Sequence, residues 1–237
     1  MPKEIIFVDT TDSVPEEYYP VPAVANLPSW FTKLEPYHSY STVADGLLKR
    51  QGQSTAKRCL PLFDAMSAGY LILSVADIYV FENEDGTKLY EWPSDSGTRI
   101  EFHDRGQLST YSVPESYHYV PKFVNPWALI TPSNYSVLIL PPMNRDDCPI
   151  EIFSGIIDTD EFNAAGSFPF LFKDKDFTGL IPAGTPIAQV IPFRRESFKM
   201  FIGDDEARNK SIRSKNKLAS KFSNAYRKLM HSKKSFR

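Results

Sequence analysis

Cysteine is nearly absent from this 237-residue chain: only Cys59 and Cys148 occur, far apart and without metal-type spacing. That excludes a disulfide framework or a zinc module and leaves two free thiols, as expected of a reducing compartment. Histidine is scarce too, with four in all. His103 and Asp104 are adjacent, so in a strand they point to opposite faces, and the His-x-Asp spacing of a facial iron triad is missing. His103 and His118 are left either as a pair converging across a hairpin or as separate surface histidines. The sequence therefore calls for no metal and no cofactor. Glycine (11) is outnumbered by proline (19). A phosphate-cradling glycine loop, a Gly-x-Ser-x-Gly elbow and a Cys-x-x-Cys pair are all lacking. No apolar run approaches the ~18 residues of a membrane span, so no membrane partner is expected. The start, Met1-Pro2-Lys3-Glu4, lacks the basic-then-apolar layout of a secretion signal, so the chain is expected not to be secreted.

What is present points to β structure. Hydrophobic residues make up 42% and aromatics 14%, enough for a sizeable core. Abundant proline and β-forming residues suit short strands separated by rigid turns. The pattern predicts strands over residues 4–8, 70–81, 88–92, 98–102, 127–140 with a break at 132–134, 150–157, 168–172 and 186–193. Glu84-Asp85-Gly86 is a hairpin turn. Leu71, Leu73 and Val75 should share one strand face. Residues 15–36, rich in proline and carrying Trp30 and Phe31, read as an extended arm lying on the body, and residues 39–55 as a polar loop. Asp64 and Asp77 are isolated acids expected in turns or caps. Many short strands with Pro/Gly turns indicate a sandwich or barrel.

The net charge of −2 conceals a split. Residues 207–237 hold eleven Lys/Arg and no Asp/Glu, leaving sixteen Lys/Arg against twenty-nine Asp/Glu, or −13, in residues 1–206. Such segregation signals a charged partner. In the tail, Ile212, Leu218, Phe222, Tyr226 and Leu229 recur at helical steps beyond the first gap, which predicts a basic amphipathic helix over about 212–231. Asp204-Asp205-Glu206 precedes it and suits a helix N-terminus, though it stands far upstream of a helix starting at 212. Arg213, Lys217, Lys221, Phe222, Tyr226, Arg227 and Lys228 are the residues expected to meet a partner.

One constellation carries candidate chemistry. Gly155-Ile156-Ile157-Asp158-Thr159-Asp160 runs an apolar strand into two carboxylates, and Gly184-Thr185-Pro186-Ile187-Ala188-Gln189-Val190 follows with one amide among apolar neighbours. The two runs should sit on neighbouring strands, with Ile156, Ile187 and Val190 buried and Asp158 and Asp160 on one face. Paired carboxylates hold a cation or activate water; equally, they are ordinary turn residues. Arg194-Arg195, after the last core strand, either grips an anion or pairs with the body's carboxylates.

In order and spacing these segments resemble the dUTPase and dCTP deaminase superfamily. Its hairpin reads Gly-Val-Ile-Asp-x-Asp-Tyr, its following strand carries Gly-Asp-x-Ile-Ala-Gln, and its first motif, Ala-Gly-Tyr-Asp-Leu, is similar to Ala68-Gly69-Tyr70-Leu71. The resemblance covers about residues 57–195. It implies a mainly β, dUTPase-like β-clip core, sandwich- or barrel-like, to which the residue pattern adds an extended N-terminal arm and a basic C-terminal α-helix. The divisions are then 1–56, 57–203 and 204–237. It also implies Asp158 as the water-positioning carboxylate, with Asp160 and Gln189 beside it if the chain is an enzyme. Tyr70, Asn144, Arg145, Asp158 and Gln189 would form a ligand site. The departures weigh against catalysis. Tyr70 is followed directly by Leu71, so the first-motif Asp is missing. Pro141-Pro142-Met143-Asn144-Arg145 stands where the phosphate-gripping Arg-Ser segment belongs, Glu161 displaces the aromatic to Phe162, and the glycine-rich C-terminal arm is lacking.

A second resemblance covers nearly the whole length. Leu27-Pro28-Ser29-Trp30-Phe31, Lys57-Arg58-Cys59-Leu60-Pro61, Asn125-Pro126-Trp127, residues 131–136 and the segment from Gly184 to Glu196 look like an uncharacterised family of bacteria and tailed phages. Together these readings predict a non-enzymatic phage protein, structural or partner-binding, in a virion or host-cell cytoplasm. Its partners would be other virion proteins, further copies of itself (a homo-trimer in relatives), or nucleic acid met by the basic tail. The alternative is a nucleotide-binding or nucleotide-hydrolysing enzyme with a rearranged phosphate site. A third, weaker one is an oxygenase or lyase built on the β core.

Overall fold

The computed structural model describes residues 3–44, 47–94, 99–108, 113, 117, 119–219 and 225–236, with backbone only for 39–44, 47–53, 219 and 225. The chain is mainly β, its sheets antiparallel, with helix at the C-terminal end. It divides into two compact units. The first comprises Met1–Lys33, Ala65–Arg195 and Phe236–Arg237; the second comprises Leu34–Asp64 and Glu196–Ser235.

The first unit opens with β1 (Ile6–Asp9), β2 (Val21–Pro22) and a short helix α1 (Ser29–Lys33). In the second unit, β3 (Tyr37–Ala44) and β4 (Leu47–Ser54) form one antiparallel hairpin in continuous register from Tyr37↔Ser54 to Ala44↔Leu47. This corrects the expected loop at 39–55. Polar composition hid a strand pair because strands need not be apolar where their backbones satisfy each other. A helix, α2 (Leu60–Ser67), follows.

The remaining strands belong to the first unit: β5 (Tyr70–Leu73), β6 (Ile78–Glu82), β7 (Lys88–Glu91), β8 (Ile100–Asp104), β9 (Tyr119–Ile130), β10 (Tyr135–Leu140), β11 (Ile150–Ile152), β12 (Gly155–Ile157), β13 (Ala165–Phe172), β14 (Gly179–Ile181) and β15 (Pro186–Arg194). One sheet runs β1-β9-β13-β11, with β8 also on β9; a second runs β12-β10-β15-β5-β2; a third runs β14-β6-β7. The core between them is large and aromatic. Phe123, Phe168, Phe170, Phe172 and Trp127 are buried among Ile72, Ile78, Val120, Val137, Ile150, Ile181 and Val190, and Phe123 stacks on Phe170 at 4.8 Å.

The expected long strand over 70–81 is two strands. Ser74 breaks it: its N–H donates to the Thr185 carbonyl and its hydroxyl to the Ala76 carbonyl, while Gly184 N–H donates back to the Ser74 carbonyl. Chain direction changes there, so β5 and β6 enter different sheets. Both faces of β5 are covered. Ile72 faces the main core, while Leu71 and Leu73 pack with Ala23 and Val21 from the N-terminal segment. The Glu84-Asp85-Gly86 turn joins β6 and β7, with Gly86 at φ +83°. Asp77 accepts the Ala183 N–H at 2.8 Å, so it braces a turn.

Gly69, in the Ala-Gly-Tyr segment, is a position where only glycine fits. Its φ is +68°, and a Cβ there would stand 1.9 Å from the Val190 carbonyl oxygen. The backbone leaving α2 thereby approaches β15 directly.

The tail helix begins earlier than its apolar spacing predicts. α3 spans Asp205–Ala219 and α4 spans Ala225–Leu229. Asp204 is the N-cap: its carboxylate accepts the Ala207 N–H at 2.9 Å. Asp204 is thus a cap, and Asp205 and Glu206 occupy the first turn, where negative charge is favoured. Apolar periodicity missed this start because residues 205–211 carry no large apolar side chain. Among the described residues no helix is long and apolar enough to cross a membrane.

Candidate functional site

β12 delivers the paired carboxylates. It is an edge strand paired with β10 through Val137↔Ile157, Leu138↔Ile156 and Ile139↔Gly155. β10 pairs on its other side with β15. The two motif runs therefore share a sheet but are not neighbours; β10 lies between them. Ile187 and Val190 are buried, but Ile156 is 65% exposed. At an edge covered on one face only, the alternation places Ile157 against the core and turns Ile156 outward.

The strand ends at Ile157, and residues 158–161 form a tight turn in which the Asp158 carbonyl accepts the Glu161 and Phe162 N–H groups. Thr159 points inward. It is buried, its hydroxyl lies 2.7 Å from that of Thr131, and its carbonyl accepts the Thr131 N–H. With Thr159 anchored, the two flanking carboxylates converge on one cation, Arg195. A turn built around a buried threonine, rather than strand alternation, places them on the same side.

Arg195 leaves the end of β15 and forks onto Asp160, its two terminal nitrogens donating at 2.7 and 2.5 Å. Asn134, at φ +67°, donates its N–H to Asp160 Oδ2 at 2.7 Å. Arg195 Nη1 also donates to the Ser136 hydroxyl (3.1 Å) and the Tyr135 carbonyl (3.2 Å), and lies 3.3 Å from Asp158 Oδ1. Ser136, fully buried, donates its hydroxyl to Asp158 Oδ1 at 2.6 Å. Bidentate guanidinium–carboxylate pairing is the strong form of such contacts. The Arg195 hydrogen bonds hold the Asp160 carboxyl down at about 2, burial opposing them, with the Asn134 N–H adding to the effect. The two acids differ in access: the Asp160 side chain is 5% exposed and that of Asp158 is 61% exposed. Of the two readings of Arg195, pairing with the chain's own carboxylates is the one realised.

Gln189 lies elsewhere on the sheet. It faces Leu140 while Ser136 faces Phe193, four residues along β10, or about 13 Å at strand rise. All its polar capacity meets main chain. Nε2 donates to the carbonyls of Ala65 (2.9 Å) and Ala68 (2.7 Å), and Oε1 accepts the Met143 N–H (2.9 Å). The side chain is 1% exposed. It ties the end of α2 and the segment after β10 onto β15.

Arg145 is likewise committed. It pairs with Asp147 (2.9 and 2.5 Å) and donates to the Asn26 carbonyl and, at 3.2 Å, the Asn26 side chain. Burial alone would raise the Asp147 carboxyl, but Arg145 holds it below its ordinary value. Asn144, at φ +57°, offers its carbonyl to the Trp30 indole at 2.8 Å. Tyr70 is flanked edge-on by Phe7 (5.5 Å) and Phe236 (6.2 Å). The expected set is therefore split: Asp158 and Asp160 at one end of β10, and Gln189 with the Asn144–Arg145 segment at the other.

Arg213, Lys217, Tyr226, Arg227 and Lys228 stand exposed on α3 and α4; Lys221 and Phe222 lie outside the described residues. His103 Nδ1 is 2.8 Å from Gln107 Oε1, and His118 lies outside the described residues. Asp64, in α2, is neither turn nor cap. Burial would raise its carboxyl, but hydrogen bonds from Lys234 (2.6 Å) and His231 (3.0 Å) hold it below its ordinary value. Cys59 is exposed and Cys148 buried, and both are free thiols.

The sequence does not mark Ser136, Asn134 or Thr159 as site residues: the β10–β15 pairing brings Ser136 and Asn134 to Arg195, and Thr159 is set by its contact with Thr131. The exposed apolar residues Phe198, Met200, Phe201 and Ile202 were also missed. Their signal was present, as an apolar run following the last core strand. No family model matches the chain, and no curated protein matches it.

Proposed function

We propose that this chain is a non-enzymatic assembly protein, structural or partner-binding, of a phage virion, built on a dUTPase-like β-clip core. One observation carries the reading: the residues resembling the superfamily's site are bound to their own chain. Asp160 is held by the Arg195 fork and the Asn134 N–H, and Gln189 by three main-chain groups. An arginine occupied by two carboxylates does not grip a triphosphate. Phosphoryl chemistry rests on positioning and charge neutralisation, and here Arg195 is taken up by two carboxylates, which leaves the cluster no positive charge to offer a phosphate. In this reading the hairpin and the strand amide serve as staples, and binding passes to the basic tail, with virion or host-cell cytoplasm as its place of action.

The test is turnover of dUTP and dCTP by the purified chain with magnesium. None is expected. Hydrolysis near ~1 per second, an ordinary enzyme scale, abolished by Asp158→Asn, would overturn the reading. The runner-up, a nucleotide-hydrolysing enzyme, rests on the exposed Asp158 carboxylate beside Ser136, and that result would establish it. Recovery of the chain with virion proteins from native particles is the positive counterpart.

A further inference from the structure

Among the described residues, two groups of exposed apolar side chains match each other in chemistry. The first is the segment after β15. Phe198, Met200, Phe201 and Ile202 are 90, 85, 75 and 89% exposed, in a stretch without regular secondary structure. Single exposed apolar side chains are ordinary; four of five consecutive positions almost bare to solvent mark an interaction element. Lys199 between them lies 5.3 Å from the Phe201 ring centre, so the segment presents an apolar and cationic surface together.

The second is the outer face of the β14-β6-β7 sheet. Register aligns Leu180 with Tyr79 and Tyr79 with Glu91, and Phe81 with Leu89. Leu180, Tyr79, Phe81 and Leu89 are all exposed, while Ile78, Val80 and Ile181 face the core. A strand pair with apolar side chains on both faces lacks the usual polar outer face of a half-buried antiparallel sheet. Among the described residues β7 is an edge strand of this sheet, and an open cleft of about 660 Å³ lies along it, lined by Tyr79, Tyr90, Glu91, Trp92, Pro93 and Ser94.

We propose that residues 198–202 of one chain dock on the β6–β7 face and cleft of a second copy of the same chain. The two surfaces match in chemistry. The receiving hairpin, residues 78–92, holds Glu82, Glu84, Asp85 and Glu91 against Lys88, a net −3. The donor carries Lys199 and leads into the basic helix α3. Each copy bears one donor and one acceptor, both exposed, so no further partner is needed to bury them. An extended segment beside an edge strand also meets its unpaired backbone groups. Because donor and acceptor differ, the contact is heterologous, and copies join head to tail into a ring or a filament. The inference names the partner within the assembly reading and rests on it. Nucleotide turnover and self-association are measured separately, so either can fail without the other.

The test is mass by light scattering and sedimentation over a concentration series. The wild-type chain is expected to grow beyond one chain. F198D/F201D, which removes the donor, and Y79E/L89K, which removes the acceptor, are each expected to weaken association at least about thirtyfold, the scale of interface hot spots. The substituted side chains are exposed, and thermal melts check that both variants fold. An equimolar mixture of the two variants is expected to stop at two chains, since such a pair retains one intact donor and one intact acceptor. A wild-type chain that stays single, variants that associate like wild type, or a mixture that stays single would each overturn the proposal. So would loss of phospholipid-vesicle binding in F198D/F201D with no change in mass, which would assign the segment to a bilayer.

Discussion

Arg195 shows how one side chain can organise a pair of carboxylates. Its fork neutralises Asp160 and reaches Asp158, and the buried Thr159 sets the turn that brings both carboxylates to it. The consequence is a pH dependence of stability. The Asp160 carboxyl has its folded pKa lowered to about 2, against about 3.9 in an unfolded chain. A depressed folded pKa contributes stability fully present above the unfolded value and lost as pH falls through the folded one. D160N is therefore expected to melt below wild type at pH 7, with the gap closing between about pH 4 and pH 2. Melting curves across that range check it; a gap that persists at pH 2 would assign the effect to shape rather than charge. The paired acids were visible in the sequence. Their partner was visible only as one of two adjacent arginines, because nothing local specifies which strand end faces which turn.

At the scale of elements, Gln189 joins three pieces of backbone: the end of α2, the segment after β10, and β15 itself. Gly69 lets the first of these approach within contact of Val190. Replacing Gln189 with leucine keeps the volume but removes the side-chain partner of two part-buried carbonyls and one part-buried N–H. Each unsatisfied group costs about 1–3 kcal/mol, and relaxation offsets part of the sum, so Q189L is expected to lose roughly 2–4 kcal/mol. Chemical denaturation measures it; a change below about 0.5 kcal/mol, the scale of a neutral surface substitution, would mean the amide is not a staple. Several strand positions were readable from β-forming residues between turns, as at β7 and β15. The β3–β4 hairpin was not, since its polar residues give no alternation, and the start of α3 was not, since a cap and charged first turn carry no apolar period.

At the scale of the whole molecule, charge is segregated along the chain. Residues 1–206 carry −13 and residues 207–237 carry +11. A chain of net −2 with mixed charge would pass a polyanionic column. With its cations gathered in one segment, it is expected to be retained on heparin at low ionic strength. It should elute as salt shortens the screening length below the ~10 Å of 0.1 M and bound counterions are recovered. The full-length variant R213Q/K217Q/R227Q/K228Q is expected to elute at markedly lower salt. Equal elution of the two proteins would remove the tail from the list of interaction elements.

Composition and pattern were enough to determine a mainly β chain with a basic C-terminal helix, because β-forming residues between turns and a 3.6-residue period are local properties. They also placed two carboxylates on either side of one residue. What local pattern does not contain is which strands lie side by side. Tertiary structure put β10 between the two motif strands, turned Ile156 outward at an edge, and brought Arg195 onto the acids. It also left residues 198–202 and the β6–β7 face exposed. Burial and pairing are set by contacts between residues distant in sequence, and those contacts decide whether a carboxylate is a reagent or a staple.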